Sequence, residues 1–149
     1  MSNQPEHEPS PTQEPPEFRT AELADVPVVT APDGADVLQL LVLDGQGGLA
    51  VFELAPGTVT RAVSHATVQE IWQVTAGRGW LWRRQGGREE TTRLTPGTAA
   101  SIPLGTTFQF RADEDAGEPL RIVAVTMPPW PNTDTEARPE QGTWQPTVG

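Results

Sequence analysis

The chain has 149 residues, about one domain, with 36% apolar residues and a formal net charge of -10. It contains no cysteine, lysine or tyrosine, which excludes disulfides, thiolate metal sites, Schiff-base chemistry and a phenolic general acid. The acidic balance, with no basic cluster interleaved with aromatics, argues against nucleic acid and anionic membranes as partners.

In chain order, residues 1–22, "MSNQPEHEPSPTQEPPEFRTAE", are acidic and proline-rich with almost no large apolar side chains. Such a segment has too little apolar surface to offset the entropy of ordering, so it is expected to be a disordered tail. It lacks the basic start and apolar stretch of a signal peptide, and no later apolar run is long enough to span a bilayer, so a soluble cytoplasmic protein is expected.

From residue 23 to 127 short segments rich in Val, Leu, Thr, Phe and Trp alternate with glycine and proline turns, at the spacing of an all-β sandwich or barrel. The predicted strands are 26–30, 37–43, 49–54, 58–65, 70–75, 79–84, 88–94, 98–102, 107–112 and 120–126. Ten strands suit one closed double sheet, and no helix-period stretch competes. Residues 128–149 are dense in proline, which blocks strand pairing and helix alike, and are expected to form an extended tail anchored by Trp130 and Trp144.

Strand alternation sets Val63 and His65, with Arg61, on one face of their strand, and Glu70, Trp72 and Val74 on one face of the next. A four-residue turn over Ala66 to Gln69 then lets His65 and Glu70 approach each other inside the barrel. The spacing of Gly57, Val63, His65, Glu70 and Gly77 resembles the first motif of the cupin family, with valine where the family has its first histidine. "GTAASIPLGTTFQFRA" resembles the second motif at Gly97, Pro103 and Gly105, then departs with Phe108 at the histidine position and Ala112 at the asparagine. The resemblance implies a cupin double-stranded β-helix, a jelly-roll-like barrel.

Cupins commonly hold a divalent metal with three histidines and a glutamate, and His65 and Glu70 are what this chain keeps of that set. Transition-metal sites usually take at least three protein ligands, so the expectation is a degenerate metal site and no cofactor, the alternative being a weakly bound divalent metal on His65 and Glu70. Two readings of this pair stand beside each other. It is either a satisfied buried pair or the polar part of an apolar pocket formed by Arg61, Val63, His65, Glu70, Trp72, Phe108 and Phe110, with Arg61 at the mouth.

The leading expectation is therefore a non-catalytic protein that binds a small organic ligand. The alternative is an enzyme of isomerase or dioxygenase type, using a weak His/Glu metal site or a His/Glu acid-base pair. Trp80 and Trp82 share the face of their strand opposite Leu81, and an aromatic patch left outside the barrel predicts a homodimer.

Overall fold

A computed structural model gives the structure of the protein and describes residues 17–148. Most of the tail expected over residues 1–22 lies outside the described residues. Among the described residues the structure is all-β apart from a 3-10 turn at Leu23–Asp25. The strands are β1 (Val29–Thr30), β2 (Asp36–Leu43), β3 (Gly47–Leu54), β4 (Val63–His65), β5 (Gln69–Ala76) and β6 (Gly79–Gln85). They continue with β7 (Arg88–Leu94), β8 (Ala99–Ile102), β9 (Thr107–Ala112), β10 (Leu120–Met127) and β11 (Ala137–Pro139). Two antiparallel sheets face each other, a six-stranded one in the order β1-β2-β3-β10-β5-β8 and a five-stranded one in the order β11-β4-β9-β6-β7.

Alternation makes the interior. On β5 Glu70, Trp72 and Val74 are buried while Gln69, Ile71 and Gln73 are exposed, and on β10 Leu120, Ile122 and Ala124 turn inward. At one end of the barrel Leu54, Leu81, Leu94, Phe110, Leu120 and Ile122 pack into a core closed to solvent, each burial stabilising the fold by about 1.5–3 kcal/mol. Gly77 closes the turn between β5 and β6 at φ +75°, where a Cβ would lie 2.6 Å from Leu120 Cα, so both conformation and space require glycine.

Three expectations are corrected. The strand predicted over 58–65 reduces to Val63–His65 plus a single bridge from Val59 to Arg111. Upstream of Val63 the chain instead bonds to the Pro32–Asp33 loop and to Phe110, with Arg61 N–H donating to the Asp33 carbonyl at 2.9 Å. The strand predicted over 26–30 is likewise shorter, Val29–Thr30. The C-terminal segment, expected to avoid strand pairing because of its prolines, contributes β11, which pairs with β4 through Ala137 and His65, Arg138 and Ser64, and Pro139 and Val63. β11 is an edge strand, where a missing proline N–H leaves no ladder bond unmade.

Beyond β11 this segment runs as a strap over the outer face of the five-stranded sheet. Gln109, wholly buried, holds it: its Nε2 donates to the Thr60 and Trp144 carbonyls at 2.8 and 2.9 Å, and its Oε1 accepts from the N–H groups of Thr143 and Trp144. A Cβ at Gly142 would collide with Gln109 and Ala62, so this contact needs the backbone itself to approach. The Trp144 ring lies under the Arg111 guanidinium at 4.6 Å.

The aromatic patch expected on β6 is covered within the single chain. Trp82 is 3% exposed and donates to Glu89 Oε1 at 2.9 Å, while Trp80 is half-buried under Arg93. Trp82 therefore adds nothing to the exposed aromatic surface from which a homodimer is expected.

Candidate functional site

The other end of the barrel is hollow. A cavity of about 460 Å³ opens between the sheets, within the 300–1,000 Å³ usual for small-molecule sites. Val63, His65 and Phe108 reach it from the five-stranded sheet, Phe52, Glu70, Trp72 and Thr126 from the six-stranded one, Asp33 from the loop before β2, and Trp130 and Asn132 from the segment after β10. Val63 and Phe108 are direct cross-strand partners, and these two apolar residues form the wall where the family motif would place histidines.

Trp72 organises the aromatic side. Its ring meets Phe52, Phe108 and Phe110 edge to face, with centroids 5.7, 5.6 and 5.0 Å apart, a geometry that favours ring pairs beyond their area burial. Its Nε1 donates to Glu70 Oε1 at 3.1 Å.

Burial pushes the Glu70 carboxyl up to about 8, with the Trp72 bond working against the shift and the Asp33 charge adding to it. Asp33 is also raised by burial, to about 6, although the Ala35 N–H and the Arg61 charge lower it. At neutral pH Glu70 therefore holds its proton for most of the time and Asp33 does not.

His65 sits between the Phe108 and Trp130 rings, at 5.2 and 4.8 Å. Burial lowers its pKa to about 4, against the pull of Glu136 and the Val68 backbone, so the ring is neutral at pH 7. Its Nδ1 is buried without a well-formed hydrogen bond.

No hydrogen bond or ion pair joins His65 to Glu70 among the described residues; each has different neighbours. Of the residues expected in the pocket, Val63, His65, Glu70, Trp72 and Phe108 line the cavity. Phe110 stands behind Trp72 in the packed core. Arg61 is not in the wall: its guanidinium donates to the Pro32 carbonyl at 2.9 Å, because the chain leaves strand geometry before Val63.

The sequence reading missed Asp33, Thr126, Asn132 and Glu136. Asp33 had a local signal in "APDG", a turn sequence in which the Asp33 carboxylate accepts the Ala35 N–H at 3.0 Å. Glu136 had none, since its partners lie almost seventy positions away: it accepts from the Thr67 and Val68 N–H groups at 2.9 and 2.7 Å and from the Thr67 hydroxyl at 2.8 Å.

A cupin-type barrel raises the question of a metal, and the donors do not fit one. Among the described residues no three His, Asp or Glu side chains come together as a ligand set. Glu70 is turned to an indole N–H, and Val63 and Phe108 supply hydrocarbon where further ligands would stand.

The fold is all-β and of cupin type. Pac13 from Streptomyces, described as a nucleoside dehydratase, matches in a variant solved with uridine at TM-score 0.65 and 10% identity, over 84% of this chain and 92% of that one. CapF from Staphylococcus aureus, a capsular polysaccharide assembling protein, matches at TM-score 0.63 and 13% identity over 75% of this chain. The match spans 33% of CapF. Hazelnut vicilin matches at TM-score 0.59 and 20% identity, over 70% of this chain and 32% of its own. At these identities the likeness is one of fold. No family model and no curated protein sequence matches the chain.

Proposed function

We propose that the protein binds one small organic molecule in the cavity between its sheets and does so without a metal step. The observation that carries this reading is the cavity itself: about 460 Å³, walled by aromatic rings, with a buried carboxyl and a neutral imidazole among them. Binding without turnover is supported by the weakness of His65 as a proton acceptor at neutral pH and by a chain that has no tyrosine, lysine or cysteine to share acid-base work. Pac13, whose length the fold match almost fills, was solved with uridine, which is in keeping with a small molecule in such a barrel.

The test is a thermal-shift and tryptophan-fluorescence screen of sugars, nucleosides, amines and carboxylates. A binding molecule raises the wild-type Tm, and the response is lost in His65→Ala and in Ala50→Phe, which fills the cavity from β3. A response that survives Ala50→Phe puts binding elsewhere and sinks the reading.

A second reading, acid-base catalysis on the bound molecule, is favoured by Glu70 holding a proton at neutral pH and by the dehydratase activity of Pac13. Glu70 would act as the acid. Turnover of a bound molecule that disappears in Glu70→Gln while binding persists would establish it; chemically unchanged ligand recovered after long incubation with wild type would exclude it for that ligand.

A further inference from the structure

We infer that the cavity selects a small organic cation, a protonated amine or amidine carried on a flat ring, over neutral and anionic molecules of the same shape. This rests on the binding reading above and adds the charge of the ligand to it.

Two carboxyl groups reach the cavity from different elements, Asp33 from the loop before β2 and Glu70 from β5, and no arginine is in its wall. Glu70 is 3% exposed. One of its oxygens accepts from Trp72, and among the described residues the carboxyl makes no other side-chain hydrogen bond, which leaves it bonding capacity in the cavity it lines. Asp33 likewise uses one oxygen, on Ala35. Arg61 is the neighbouring cation: it acts on Asp33 electrostatically, but its guanidinium is engaged by the Pro32 carbonyl outside the cavity wall. Behind His65 the Glu136 carboxylate adds a third acidic group.

Around these groups Phe52, Trp72, Phe108 and Trp130 form aromatic walls. A cation facing such rings gains cation-π attraction that grows when water is excluded. It also meets the ionised Asp33, and beside a bound cation Glu70 can give up the proton that burial otherwise makes it keep. An anion there would face the ionised Asp33 carboxylate in a poorly solvated space, which disfavours it. The cavity volume suits one or two fused rings bearing a single charged group.

The test uses two isosteric series on the full chain by isothermal titration calorimetry: benzamidine, benzamide and benzoate, and their 2-naphthyl counterparts. The amidine in at least one series is expected to bind ten or more times tighter than its amide, with the carboxylate weakest. Asp33→Asn combined with Glu70→Gln should reduce that preference to less than threefold, folding being checked by the near-ultraviolet signal of the buried tryptophans. Should the double variant not fold, Asp33→Asn alone should narrow the preference about threefold. An amide or carboxylate that binds wild type as tightly as the amidine overturns the cation assignment and leaves the binding reading intact. A preference that persists in the variants shows that these carboxyls do not set it. No heat from any of the six probes counts against the inference and the binding reading together.

Discussion

Glu70 and Glu136 are both almost wholly enclosed, at 3% and 2% exposure, and differ in what surrounds them. Glu136, in the strap, receives two backbone N–H groups and a hydroxyl from Thr67 and Val68. Burial alone would raise its pKa, but those bonds and the His65 ring hold it below the ordinary value. Glu70, in the cavity, receives one bond, from Trp72, and burial dominates. Two things separate the carboxyls: Glu70 lies deeper and is more strongly desolvated, and Glu136 has more donors turned toward it. One acid is fully used in holding the chain together, and the other keeps bonding capacity toward the cavity.

The largest effect expected from this contrast is on the strap. Glu136→Ala leaves the Thr67 and Val68 donors without their acceptor and should lower stability by about 4 kcal/mol in urea unfolding. A loss below about 1 kcal/mol would show that water replaces the carboxylate and that the strap is not held there. Next comes Gln109→Ala, which removes all the side-chain bonds to Thr143 and Trp144; about 3 kcal/mol is expected, with the Trp144 environment changed in fluorescence.

The third prediction is a pH dependence. Glu70 rises from 4.5 to about 8 on folding, so its contribution to stability is complete below pH 4.5 and is lost as pH climbs through 8. The loss from Asp33, raised from 3.8 to about 6, is over by then, and the gain from His65, lowered from 6.5 to about 4, ends near pH 6.5. Between pH 6.5 and 8 Glu70 should therefore dominate, lowering stability by about 2 kcal/mol and Tm by roughly 5 °C. Glu70→Gln should flatten that slope. A wild-type Tm that is level across this window would contradict the buried, poorly solvated carboxyl. The smallest effect is Glu70→Gln itself at pH 6.5, where an amide replaces a carboxyl that is mostly protonated: a change of less than about 1 kcal/mol, measured by chemical denaturation.

Much of the barrel was legible because alternation is a local property. β7 and β9 fall on their predicted bounds of 88–94 and 107–112, and β5, β6 and β10 differ from theirs by a residue or two at the ends. Trp72, Phe108 and Glu70 could be placed in the interior for the same reason, and Gln109 on the opposite face from Phe108. Arg61 was misplaced because the alternation was carried back past Val63 into a stretch that bonds to a loop rather than to a strand. β11 and Glu136 were out of reach because pairing of Ala137 with His65 is set by distant partners, and nothing in "TEARPEQ" announces it. The same holds for the separation of His65 from Glu70: proximity in sequence suggested a pair, but each side chain is claimed by a different wall.

The strap has a consequence for the order in which the molecule is made. Trp130 and Asn132, part of the cavity wall, and β11, which covers the free edge of β4, all follow the tenth strand in the chain. A ribosome-bound chain that has released ten strands still has an open β4 edge, and an unpaired edge invites pairing with other chains. Folding of the packed end can run ahead during synthesis, while the completed cavity wall and the protection of that edge arrive together, only after the tenth strand has been made.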